Sequence, residues 1–233
     1  MRIEMWSDII CPICGVTQQR LRNAVAQFEH GDEMEVIHRS FQVHPDLPPD
    51  GVTQTQLSRN AGMSVAQMNA ILRPVEIAAE AEGFGPYHAI DRTLGPTELT
   101  HELLAHATEK GKHDEAWIGM FRAHFSGNRQ LWTVDQLVEF ADEIGLDAAE
   151  ARSVLESRRY RRQVTEEQRR AERMGAHGTP FIVIDEKYGI GGGVDTNTLL
   201  SAIDRAWRES QPPKIVTLDV GDTCGVDGGA CAS

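Results

Sequence analysis

Apolar positions recur along this chain with two different periods, and the switches between them mark its organisation. Residues 2–10 are nearly continuous in apolar character, with Ile3, Met5, Ile9 and Ile10. This predicts a strand buried on both faces. Residues 12–29 change to helical spacing, with Leu21, Ala24, Val25 and Phe28 on one face, Pro12 at the first helical position and Gly31 as a stop. Residues 34–43 predict a second strand from Met34, Val36, Ile37, Phe41 and Val43. The opening is therefore β-α-β. The stretch 44–52, with its three prolines and a glycine, breaks regular structure.

From there to residue 174 the patterns are helical. A helix is expected over 64–83, kinked or split at Pro74, followed by a loop at Gly83, Gly85 and Pro86. Another runs from after Pro96 to Gly111, and a third carries Trp117, Met120, Phe121 and His124 towards Gly127. Thr133 and Gln136 form a capping box for a fourth, whose apolar face is Val134, Leu137, Val138, Ala141 and Ile144. Shorter and longer helices follow at 147–156 and 158–174. Residues 181–185 return to strand character, 187–191 read as the second arm of a hairpin, and a helix at 196–208 closes the pattern. The two ends thus predict one α/β unit, residues 1–50 with 175–210, interrupted by a helical insertion at 51–174. Residues 211–233, Gly-rich and acidic, predict a flexible tail.

Composition narrows the function classes. With 40% hydrophobic and 25% charged residues, the 233-residue chain has the profile of an ordinary globular protein. A formal net charge of −12 argues against a nucleic-acid partner. No apolar run is long enough to span a membrane, and Glu4, Ser7 and Asp8 interrupt any leader-like segment, so a cytoplasmic setting is expected.

The four cysteines, Cys11, Cys14, Cys224 and Cys231, all lie at the chain ends. Close pairs in a reducing compartment point to catalysis or metal binding rather than to a stapled core. Cys11-Pro12-Ile13-Cys14 sits where the first strand gives way to the first helix. A thiol at a helix N-terminus faces unpaired N–H groups and the positive end of the macrodipole, both of which favour thiolate. Cys11 at the N-cap is the expected attacking sulfur, and Cys14, one turn inward, the resolving one. Pro12 stiffens the turn. Asp8 is either a proton relay or a turn acid, and His44 or His177 would raise thiolate content if it neighbours Cys11, His177 being favoured because the Gly178-Thr179-Pro180 loop should face the cysteines. A cis Thr179–Pro180 bond would turn the chain sharply and offer Thr179 backbone groups to an extended substrate; a trans Thr-Pro in an ordinary loop is the alternative. Cys224 and Cys231 have three readings: a second redox pair serving Cys11 and Cys14, an isolated tail disulfide, or half of a four-cysteine zinc site, which their spacing disfavours. The histidines of the helical block read as ordinary core or surface residues, the arginines of 158–173 as a solvated face, and Gly191-Gly192-Gly193 as a turn.

Asp8-x-x-Cys11-Pro12-x-Cys14, the helical insertion and Gly178-Thr179-Pro180-Phe181 together resemble the DsbA-like branch of the thioredoxin superfamily. The likeness is nearest to its FrnE-like proteins, through Phe41 and Pro45-Asp46-Leu47-Pro48-Pro49, and covers about residues 3–210. It implies a thioredoxin fold with an all-helical insertion, redox-active Cys11 and Cys14, and cis-Pro180. The expected activity is thiol–disulfide exchange on protein or peptide disulfides, with a low-molecular-weight thiol or thioredoxin-type reductant and no cofactor or metal. Ile13 departs from the aromatic or histidine often found between the cysteines of this branch. Chromene-carboxylate isomerases and kappa-type glutathione transferases share the architecture but use a serine near this position, so both cysteines argue against that alternative. A zinc-stabilised or chaperone-like binding protein is the other.

Overall fold

The computed structural model describes residues 1–211. β1 (Arg2–Ser7) pairs in parallel with β2 (Glu35–Ser40), to which it is joined through α1 (Pro12–Gln27). Its other edge takes β5 (Phe181–Ile184) in antiparallel register, and β5 pairs with β6 (Tyr188–Gly191), giving the order β2-β1-β5-β6. α9 (Thr196–Ser210) follows β6 and packs beside α1. This is the expected thioredoxin-like α/β unit, with helices inserted between its two halves.

β1 is buried on both faces, as its continuous apolar run requires. Ile3 and Met5 join Ile182, Ile184, Leu21, Leu199 and Ile203 in the main core. Trp6 faces the other way and packs with Phe181, Val183 and Ala171. The strand is shorter than expected, however. It ends at Ser7, because Asp8 turns the chain: its carbonyl accepts from Cys11 N–H at 3.1 Å, and its carboxylate from Val43 N–H at 2.7 Å.

The insertion contains α2 (Gln54–Asn60), α3 (Val65–Ala81), α4 (Glu98–Glu109), α5 (His113–Phe121), α6 (Val134–Glu143), α7 (Ala148–Glu156) and α8 (Arg161–Arg173). A two-residue ladder also lies there, β3 (Val52–Thr53) with β4 (Thr93–Leu94). The sequence reading missed this ladder and α2, although Thr53 and Gln56 form a complete capping box for α2. α3 is not split: it continues through Pro74. α5 runs into a π-helical turn, Arg122–Ser126, which buries His124 and Phe125.

The arginine-rich helix needs a correction. Arg158 has a positive φ of 55°, so α8 begins only at Arg161. Its outer face includes Arg169, which pairs with Glu166. Its inner face does not read as solvated: Arg170 makes a two-pronged contact with the buried Glu4 at 2.6 and 2.5 Å, joined there by Arg39. Arg158 likewise holds buried Glu102 at 2.7 Å.

Candidate active site

Strand register brings the two sequence motifs together. Trp6 lies opposite Phe181 in an antiparallel pair, so the chain leaving β1 and the chain entering β5 meet at the same end of the sheet. The first of these carries Asp8 to Cys14, and the second His177 to Pro180. Cys11 is the N-cap of α1 and Pro12 its first residue, as the spacing predicts. Thr179–Pro180 is cis, and Cys11 Sγ reaches the Thr179 carbonyl oxygen at 3.6 Å.

Both cysteines are free thiols and both are buried, Cys14 completely and Cys11 with 9% exposure. Their environments drive their acidities apart. A hydrogen bond from the Cys14 side chain brings the Cys11 thiol down to about 7, against the opposing effect of burial; Thr179 and the Cys14 backbone N–H add to the lowering. Burial is the main cause that pushes Cys14 well above the ordinary thiol range, and proximity to Cys11 raises it further. The arrangement provides one sulfur ionised near neutral pH, with a protonated partner one helical turn inward.

Asp8 is fully buried behind this turn. It accepts the Val43 N–H, and its Oδ1 lies 3.4 Å from Nε2 of the equally buried His101, without hydrogen-bond alignment. His177 is exposed, and no hydrogen bond or ion pair joins it to Cys11. Cys224 and Cys231 lie outside the described residues. Among the described residues, no group of three or more His, Cys, Asp and Glu side chains is placed to hold a metal ion.

Several residues of the insertion join the site without any signal in the sequence. Tyr87 donates its hydroxyl to the Pro12 carbonyl at 2.6 Å and stacks on Phe125 with centroids 4.5 Å apart. A Cβ on Gly15 would sit 2.8 Å from that hydroxyl, which is why α1 tolerates a glycine in its first turns. Arg92 donates to the Ile10 carbonyl at 2.8 Å. The Gly191–Gly193 turn also touches the site, since a Cβ on Gly193 would meet Ile13 Cγ2 at 2.4 Å. Gly83, Gly85 and Pro86 announce a loop but not that its next residues reach the cysteine turn.

Residues 2–204 match the family described as the DSBA-like thioredoxin domain. The chain is similar to a probable DsbA oxidoreductase of Streptomyces coelicolor, at 38% identity and a TM-score of 0.86 over 100% of this chain and 99% of the other. It is 29% identical over 162 residues to the uncharacterized protein YwbO of Bacillus subtilis, covering 69% of this chain and 74% of YwbO. The cytosolic disulfide reductase DsbM of Pseudomonas aeruginosa shares the fold at 20% identity, with a TM-score of 0.59 over 90% of this chain and 98% of DsbM.

Proposed function

The chain belongs to the DSBA-like thioredoxin domain family, and from that premise we propose that it is a thiol–disulfide oxidoreductase acting on protein or peptide disulfides through Cys11 and Cys14. The observation that carries this reading is geometric: Cys11 is the N-cap of α1 with Cys14 one turn inward, and Cys11 Sγ lies 3.6 Å from the Thr179 carbonyl oxygen ahead of Pro180. In the reducing direction, the Cys11 thiolate attacks one sulfur of the substrate disulfide. A Cys11–substrate disulfide forms and the other substrate sulfur leaves as a thiolate. Cys14 then gives up its proton and attacks Cys11 Sγ, forming the Cys11–Cys14 disulfide and releasing the second substrate thiolate. Two electrons have passed to the substrate, and an external thiol restores the dithiol by the same steps in reverse order. Asp8, buried behind the turn, is the nearby carboxylate for the Cys14 proton. Thr179, ahead of Pro180, offers backbone groups to an extended substrate segment.

A cytoplasmic setting and a low-molecular-weight thiol as reductant fit the glutathione-bound structure of the fold relative DsbM. The 51–174 insertion then supports the cysteine turn of the 1–50 and 175–210 unit through Tyr87 and Arg92. Cys224 and Cys231 act in this reading as a second redox pair that passes electrons to Cys11 and Cys14.

Insulin reduction by dithiothreitol tests the proposal. The protein accelerates it, Cys11→Ser abolishes the acceleration, and Cys14→Ser accumulates a mixed disulfide visible by mass spectrometry. A wild-type rate equal to that of Cys11→Ser would overturn the reading. Unchanged turnover with a physiological thiol in the Cys224→Ser/Cys231→Ser double variant would remove the relay alone.

A further inference from the structure

The dipeptide between the cysteines, Pro12-Ile13, carries no charge, yet Cys11 must ionise in a buried position. The structure supplies a cation from an unexpected quarter. Arg92, just ahead of β4, is only 5% exposed. Its guanidinium donates to the Ile10 carbonyl at 2.8 Å, to Gln54 Oε1 at 2.9 Å and to the Ala89 carbonyl at 3.2 Å. It lies 4.8 Å from the centroid of the Phe125 ring. Its remaining neighbour is His124 Nε2 at 3.2 Å. His124 Nδ1 is 3.0 Å from the Arg129 carbonyl oxygen and must donate there, which leaves Nε2 as the acceptor for Arg92. Every partner of the guanidinium is thus neutral, and Arg92 forms no ion pair among the described residues.

A buried charge without a counter-ion is costly. The groups nearby that can carry negative charge are Tyr87, Cys11, Asp8 and Glu76. Glu76 is committed elsewhere: it accepts the N–H groups of Ala89 and Ile90, both at 2.9 Å, and pairs with Arg73 at 2.6 Å. Asp8 is held by Val43 N–H and lies beside His101. Burial keeps the Tyr87 phenol protonated, and its hydroxyl is engaged with the Pro12 carbonyl. Burial and Arg92 hold His124 down at about 3, so it adds no competing charge at neutral pH. Reduction of the disulfide leaves Asp8 and Glu76 unaltered; Cys11, next to the carbonyl that Arg92 grips, is the group whose charge changes, and the Asp8 carboxylate opposes that change.

We propose that Arg92 is the buried counter-charge of the Cys11 thiolate, a positioning residue of the helical insertion that acts through the Ile10 carbonyl and sets the redox poise of the Cys11–Cys14 pair. This rests on the oxidoreductase reading above. Its physical basis is a difference between redox states. The Cys11–Cys14 disulfide is neutral and gains nothing from a buried cation, whereas the thiolate does, so Arg92 favours the reduced form and makes the pair a stronger oxidant. Tyr87 grips the carbonyl on the other side of Cys11, so two side chains of the insertion fix the turn from both flanks.

Two measurements on the full chain test this: thiolate absorbance at 240 nm against pH, and the reduction potential in glutathione buffers. Arg92→Gln is expected to raise the Cys11 midpoint by about one pH unit, a tenfold change in ionisation. The same tenfold change in the exchange equilibrium is about 30 mV towards a more reducing potential. Arg92→Lys supplies a cation without the guanidinium fork that grips Gln54 and the Ile10 and Ala89 carbonyls, and is expected to fall between wild type and Arg92→Gln. Gln54→Glu, which keeps the shape and gives Arg92 a carboxylate, moves the midpoint in the same direction as Arg92→Gln, and it decides the matter if Arg92→Gln does not fold. An unmoved midpoint and potential in folded Arg92→Gln or in Gln54→Glu would overturn the proposal, as would Arg92→Lys shifting as far as Arg92→Gln. A wild-type protein that accelerates insulin reduction no more than Cys11→Ser would instead overturn the oxidoreductase reading itself.

Discussion

At the scale of single residues, the site is a matter of two sulfurs with unlike surroundings. Cys11 sits at a helix start with its thiolate stabilised by Cys14, while Cys14 is enclosed and held protonated. The expected consequence is selective chemistry. Iodoacetamide should modify Cys11 in preference to Cys14, with a rate that rises with pH and a midpoint near 7. Peptide mapping of the alkylated reduced protein checks this, and equal labelling of both cysteines would contradict it. The residues that matter beyond the cysteines were unequally legible. Pro12, Asp8, Thr179 and Pro180 are close to a cysteine in sequence or belong to a recognisable turn. Tyr87, Arg92 and His101 are not: each is a common residue type in a helical or loop segment, and only the packing of that segment against the turn gives it a role.

Among the elements, β1 and α8 show how a charged helix becomes part of a core. Glu4 lies on a central strand, and burying its carboxylate requires the guanidinium groups of Arg39 and Arg170. Arg170 also stacks over Trp6, at 5.3 Å from that ring, while the Trp6 indole donates to the Glu167 carbonyl at 2.9 Å. Arg170→Ala removes half of this compensation and part of the packing of α8. A loss of roughly 1–3 kcal/mol is expected, less than breaking a fully buried pair costs, because Arg170 is partly exposed and Arg39 remains. Urea unfolding of the reduced protein measures it, and Arg170→Met, which restores the stem without the charge, separates packing from charge. A helical charge pattern alone does not reveal which arginines face inward, because the partner carboxylate, Glu4, is more than 160 residues away along the chain.

For the molecule as a whole, two histidines make stability depend on acid. His38 and His124 are buried neutral, each with its proton affinity lowered to about 3, chiefly by burial. An unfolded chain binds those protons near pH 6.5 and the folded one does not, so between about 6.5 and 3 the unfolded state holds more protons. Stability is therefore complete above pH 6.5 and falls as pH drops through this window, by up to about 1.4 kcal/mol per pH unit for each histidine. Urea titrations at a series of pH values check the slope; a flat stability profile from pH 6.5 to 4 would contradict the buried-neutral assignment. No helix among the described residues is long and apolar enough to cross a bilayer.

The sequence by itself determined the α/β frame, the positions of most helices and the Cys11-to-Cys14 turn at the start of α1. These follow from local rules: apolar periodicity, capping residues, and the φ restriction of proline. It also carried the second motif, at Thr179-Pro180. What the tertiary structure decided was how distant segments meet. The antiparallel register of β1 and β5 puts Thr179 beside Cys11, and the fold of the insertion presses Tyr87, Arg92 and His101 against the same turn. Burial then turns those contacts into chemistry. An arginine in solvent is a screened charge of little consequence, but enclosed beside a carbonyl one residue from Cys11 it becomes part of the environment in which a thiol must ionise.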